Sequence, residues 1–140
     1  MTVSKNKEIV REFFEKGPSG GDIAAADALL APEFSLHVPL PVSGPGTEAI
    51  NAVIISCRAA FGGLHVTIED MIAEEDKVTC RFTARGVHHG EFMGVPPTGK
   101  EIMMTGIEIF RIKNGKIAEL WGEANLMGLA QQLGIVPAPA

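Results

Sequence analysis

Apolar residues recur at two different periods along the chain, and the change of period divides it. Up to residue 63 the spacing is helical. Ile9, Val10, Phe13 and Phe14 form one stripe, Ser4 is the expected N-cap, and Gly17-Pro18 is the stop. Asp22 is expected to cap a short second helix with Ala26, Leu29 and Leu30 on one side, ending before Pro32. Phe34 to Val38 reads as a short extended piece closed by Pro39 and Pro41, followed by a Gly44-Pro45-Gly46 turn. Thr47 is the expected cap of a third helix, with Ile50, Val53, Ile54, Cys57 and Phe61 at helical spacing and Gly62-Gly63 at its end.

From Leu64 the period becomes two. Strands are expected over His65 to Ala73, Lys77 to His89, Glu101 to Ile112 and Ile117 to about Asn125, with a terminal helix over Leu126 to Leu133. The second strand places Val78, Cys80, Phe82, Ala84, Gly86 and His88 on one face. Lys113-Asn114-Gly115-Lys116 is a hairpin turn, because Asn-Gly supplies the positive φ of a type I′ turn. Gly106 within a strand predicts a bulge or a close backbone approach. Three helices followed by an antiparallel meander define an α+β class. The expected architecture is one cone-shaped domain over residues 1–140, with helices across the concave side of a curved sheet and a pocket between the layers. Face-to-face pairing of two copies is one way to cover the other face.

Composition narrows the partners. The 140 residues are 46% apolar and carry a net charge of −5, so no basic footprint points to nucleic acid or an anionic membrane. The N-terminus lacks an apolar signal core and no apolar run reaches membrane-spanning length, which predicts a soluble, cytoplasmic protein. Cys57 and Cys80 read as two reduced, buried thiols, and no histidine or cysteine spacing suggests a metal site.

Three segments carry a resemblance: H-x-G-E-x-x-G-x-P-P-T-G-K over His88 to Lys100, I-F-R-I-x-x-G-K-I-x-E-x-W over Ile109 to Trp121, and G-L-x-x-Q-L-G over Gly128 to Gly134. Together they resemble the SnoaL-like polyketide cyclases, within the group that shares the NTF2-like fold. The resemblance implies a cone-shaped α+β barrel, a homodimer or dimer of dimers, and cofactor-free chemistry on a hydrophobic small molecule. Members cyclise aromatic polyketide esters by intramolecular aldol condensation. The family pattern W-x-x-x-D supplies an acid/base aspartate, and at that position this chain has Asn125. An amide hydrogen-bonds an oxygen but cannot take up the proton that aldol chemistry removes.

Candidate chemistry follows from that substitution. Glu123, on the strand face of Trp121 and Asn125, is either a relocated base or an exposed glutamate beside a strand-end polar residue. His88 matches the family histidine and is expected to point inward; His89 points away. Glu108 shares a face with Met104 and Phe110, so either that face lines the pocket or Ile107 and Ile109 do. Trp121, Phe82, Met104, Phe110 and Glu108 are candidate substrate contacts, and His37 is placed at the pocket mouth. The expected function is a cyclase or isomerase-type reaction through an enolate. The alternative of another class is a binding protein that kept the cone and lost the acid. A ketosteroid-isomerase-like site is excluded because the chain has no tyrosine. An epoxide-hydrolase-like Asp-Arg-Asp set is disfavoured, with Asp70 beside Arg81 or Arg85 as its remaining basis.

Overall fold

The computed structural model of the chain describes residues 2–137. In chain order it runs α1 (Val3–Lys16), α2 (Ile23–Asp27), β1 (Leu30–His37), α3 (Gly46–Ala60), β2 (Phe61–Glu74), β3 (Lys77–His88), β4 (Glu101–Lys113), β5 (Lys116–Ala124) and α4 (Leu126–Gln132). The five strands form one sheet in the order β1-β5-β4-β3-β2. The α+β class is as expected from the sequence.

Several boundaries differ for local reasons. Thr2, not Ser4, caps α1, its side chain accepting from the Lys5 N–H at 3.1 Å. Thr47 lies inside α3, whose N-cap is Pro45 with no side-chain cap. Gly62 and Gly63 do not end that helix; the chain passes at Phe61 straight into β2. Asp22 does cap α2, accepting from the Ala25 N–H at 3.0 Å. The largest correction is β1, which begins at Leu30 and pairs in parallel with β5, so the sheet is mixed. Pro32 is tolerated because β1 is an edge strand whose register shifts between Leu30 and Ser35. The Asn114-Gly115 turn has φ of 51° and 75°, as a type I′ hairpin requires.

α1 packs against β2 and β3, α3 against β1 and β2, and α4 against β4. Phe13 and Phe14 reach down from α1 onto Phe110 at ring-centroid distances of 6.1 and 5.7 Å, and Phe14 meets Phe82 at 6.0 Å. Gly106 is a close approach: a Cβ there would lie 2.5 Å from the Phe82 ring. The beginning of β4 has no strand on its β5 side, because β5 pairs only from Gly106 onward. Gln132 of α4 takes that place. Its Nε2 donates to the Met103 carbonyl at 2.7 Å and its Oε1 accepts from the Met103 N–H at 2.9 Å.

Candidate functional site

Between helices and sheet lies a cavity of about 140 Å³. Phe14, Ile54, Phe61, Phe82, Met104 and Leu129 contribute to its apolar wall, and Glu108 is the single charged residue on it among the described residues. Glu108 is placed there by strand parity: on β4 it alternates with Ile107 and Ile109, which face out, and stands opposite Cys80 on β3 and Gly122 on β5. Gly122 leaves room for the carboxylate, since a Cβ there would sit 3.0 Å from Oε2. Among the described residues no cation or hydrogen-bond donor meets that carboxylate. Loss of hydration without compensation pushes its pKa from 4.5 up to about 7. The neighbouring Cys80 thiol is pushed up by burial and by the charge of Glu108.

The structure divides the candidate residues among five places. Phe82, Met104 and Glu108 line the cavity. Phe110 is fully buried in the core beneath α1 and does not reach the cavity wall. Trp121, Glu123 and His37 lie on the outer face of the sheet, in a shallow groove with Ile107 and Ile109. There His37 stacks on Trp121, with centroids 5.5 Å apart and planes at 20°, and its Nε2 is 2.7 Å from Glu119 Oε2. The exposed Glu123 stands opposite Ile107. Asn125 is also exposed and is the N-cap of α4: its Oδ1 accepts from the Gly128 N–H at 2.8 Å. Neither lines the cavity, although Leu126, next to Asn125, does, and the strand-end reading of Asn125 fits its contacts.

His88 faces inward and is fully buried, at the far end of β3. The Thr98 N–H donates to its Nδ1 at 3.2 Å, and the Thr98 hydroxyl is 2.9 Å away. Nδ1 is thus an acceptor and the proton sits on Nε2, which is buried without a partner among the described residues. His88 also holds both ends of the following loop through Lys100 O and the Gly99 N–H. From the level of Cys80, opposite Glu108, to His88 is roughly 25 Å of strand at about 3.3 Å per residue, so the two cannot act on one atom.

Two contributors went unassigned in the sequence. Cys57 lines the cavity, yet reads there only as a core position of α3. Gln132 is the glutamine of G-L-x-x-Q-L-G, and that motif is the signal for its role as a substitute strand. Asp70 pairs in register with Arg81, but no aspartate lines the cavity among the described residues. No three His, Cys, Asp or Glu side chains converge as metal ligands among the described residues, and no helix there is long and apolar enough to cross a membrane.

The family described as SnoaL-like polyketide cyclase matches residues 8–133 of the chain. The fold is similar to that of TsrD from Streptomyces laurentii, with TM-score 0.87 and 29% identity over 97% of this chain and 99% of that one. It is similar to IdmH from Streptomyces antibioticus, provisionally assigned as a polyketide cyclase, with TM-score 0.81 and 31% identity over 92% and 98% of the two chains. It also resembles AclR from Streptomyces galilaeus, provisionally assigned as a hydroxylase, with TM-score 0.89 and 25% identity over 99% and 87%. No curated protein matches the sequence.

Proposed function

The chain belongs to the SnoaL-like polyketide cyclase family, a membership that supports a cyclase- or isomerase-like role, and on that premise we propose that Glu108 is its general base. One observation carries the proposal: a lone carboxylate, without a cation, in an otherwise apolar cavity. Burial sets its affinity for a proton near neutrality, where a base is neither too weak to accept nor always occupied. Glu108 takes the proton from carbon α to a ligand carbonyl, leaving an enolate. The enolate carbon attacks a second carbonyl of the same molecule, and protonated Glu108 returns its proton to the resulting alkoxide. The cavity holds one negative charge throughout, so no step adds a buried charge. The substrate class is a hydrophobic, polyketide-like carbonyl compound, and the side chains alone supply the acid/base chemistry.

Deuterium exchange at the methyl group of acetophenone, followed by NMR, isolates the first step. Wild-type protein is expected to catalyse it at a rate that rises with pH through about 7, as Glu108 ionises. Glu108→Gln should lower that rate by ~10²–10⁴-fold, the range for loss of a positioned base. Equal rates in the two proteins would sink the proposal.

Asn125 supports a second reading, a ligand-binding protein without turnover, because the position of the family aspartate holds an amide committed to a helix cap. Saturable binding of acetophenone with no exchange above buffer is its signature.

We also infer that two copies pair through the outer sheet face, where Ile107, 52% exposed, lies in one groove with Trp121, and Met103, farther along β4, is 46% exposed. Sedimentation should give a dimer or dimer of dimers, and Ile107→Glu should give monomers. A monomeric wild-type protein removes the inference.

A further inference from the structure

The segment that follows β3, residues 91–98, is tied to the rest of the molecule at one polar point. Its ends are fixed by backbone: the His89 and Gly90 N–H groups donate to the Ala60 carbonyl, and Gly99 N–H donates to the His88 carbonyl. Between these ends Phe92 and Val95 bond only to each other, at 3.1 and 2.9 Å. Among the described residues, the only hydrogen bonds joining the segment to a strand or helix run from Thr98 to the His88 ring. Its apolar tie is the Phe92 ring, which forms part of the cavity wall and meets Phe61 at a centroid distance of 4.9 Å. Phe61 in turn lies 5.7 Å from the His88 ring. A segment with so few bonds to the body opens at low cost, and one bond decides how low.

That bond exists in one protonation state. Nδ1 accepts from the Thr98 N–H at 3.2 Å, which requires a neutral ring with its proton on Nε2. A second proton lands on Nδ1. The Thr98 N–H then faces another N–H and its bond is lost, while the Thr98 hydroxyl, 2.9 Å away, can still accept. The ring would also carry a charge at a fully buried position, where an unpaired cation is strongly disfavoured. No neighbour offsets it. Around the ring, β2 carries the exposed His65, α3 carries Arg58, which donates to the Pro18 and Ser19 carbonyls, and Cys57, kept neutral by burial. His89 and Glu91 on the connection, and Lys100 and Glu101 at the entry to β4, are exposed, and α4 has no titratable side chain. None of these groups bonds to the His88 ring among the described residues.

We propose that His88 is a proton-operated latch. Neutral, it keeps residues 91–98 docked, with Phe92 in the cavity wall. Protonated, it is stable with the segment displaced and the ring in water, and Phe92 leaves with the segment. An apolar ligand in the cavity therefore exchanges with solvent faster in acid. The latch does not depend on the role given to Glu108, so the two ideas fail separately.

NMR on protein carrying Glu108→Gln, which removes the carboxylate that titrates near neutrality, is the test. From about pH 8 to about pH 5, the range in which histidines change charge, the His88 ring nitrogens and the Thr98 amide should titrate with one midpoint. Over the same range the contact between the Phe92 and Phe61 rings, read as a nuclear Overhauser effect, should disappear while the Trp121 indole signal holds. Above that midpoint the exchange of bound toluene, the probe for the cavity, should quicken by up to about tenfold for each pH unit of acidification, the limit for a single proton. His88→Asn puts an amide oxygen where Nδ1 was, an acceptor that takes up no proton. It should keep the ring contact and the slow toluene exchange across the whole range. The proposal is overturned if the ring titrates and the contact stays, or if the contact is lost without ring titration. A ring still neutral at about pH 5, or loss of the Trp121 signal together with the contact, also overturns it. All four outcomes are read in protein that retains His88, so they stand even if His88→Asn folds poorly.

Discussion

Glu108 on the inner face of the sheet and Glu119 on the outer face belong to adjacent strands, yet their surroundings act in opposite directions. Glu108, part-buried against apolar side chains, lost much of its water and gained no partner among the described residues, and its pKa rises. Glu119 is held by His37 Nε2 at 2.7 Å and by Arg111 Nε at 3.1 Å, and its pKa falls, chiefly through the His37 hydrogen bond and with the Arg111 contribution second among the favourable ones. A carboxylate kept in water, with a guanidinium and an imidazole as hydrogen-bond partners, is a poor proton acceptor at neutral pH; one in an apolar cavity is a good one. Within one sheet, the side-chain type says less about chemistry than the face on which it lands.

The strongest way to break this comparison is through stability. In folded protein Glu108 titrates near 7 and in unfolded chain near 4.5. Between those values the folded state holds more protons, so the contribution of Glu108 is fully present below 4.5 and is lost as pH rises through about 7. At 1.36 kcal/mol per pKa unit the loss is roughly 3 kcal/mol. Urea unfolding at pH 5 and pH 8 should show it, and Glu108→Gln should flatten the difference. An unchanged difference in the variant would mean that Glu108 is not the group responsible.

Smaller effects sharpen the outer side. Asn125→Ala should cost about 1 kcal/mol through the lost cap of α4, whereas Asn125→Asp caps equally well and should fall within a few tenths. Asn125→Asp should also give no gain in acetophenone exchange; a gain would place the family aspartate position at the chemistry after all. His37→Ala should cost at most about 1 kcal/mol, as exposed pairs do. Glu119 has the opposite sign to Glu108: its contribution is present above the ordinary carboxylate pKa and is lost as pH falls, so the penalty of His37→Ala should vanish in acid. Glu123→Gln, the smallest, should leave exchange and unfolding midpoints unchanged; a slowed exchange would restore it as a base.

The periods of the sequence made the helices and the four long strands legible, and the three motif segments identified the family. What they could not label was inside and outside. Along β4, Ile107, Ile109 and Phe110 are apolar on both faces, so alternation disappears and the charged Glu108 is the odd residue whichever face is buried. On β5 the single tryptophan suggests the inner side, but Leu120 and Gly122 point in and Trp121 points out. Asn125 was readable as a strand-end polar residue, yet its cap depends on the helix that follows it. The parallel pairing of β1 left no local trace, because its partner is near the other end of the chain.

That distant pairing has a kinetic side. His37 and Glu119 are 82 residues apart in sequence, whereas β4 and β5 meet across a two-residue turn. Closing the longer loop costs about 3 kcal/mol more in chain entropy if nothing else is formed first. The edge strand is therefore expected to dock after the hairpins, once their contacts have shortened the effective loop. Its arrival brings His37 onto Trp121, the only tryptophan in the chain. The indole emission should therefore change when that strand arrives, and stopped-flow fluorescence would time the step that completes the sheet beneath the cavity.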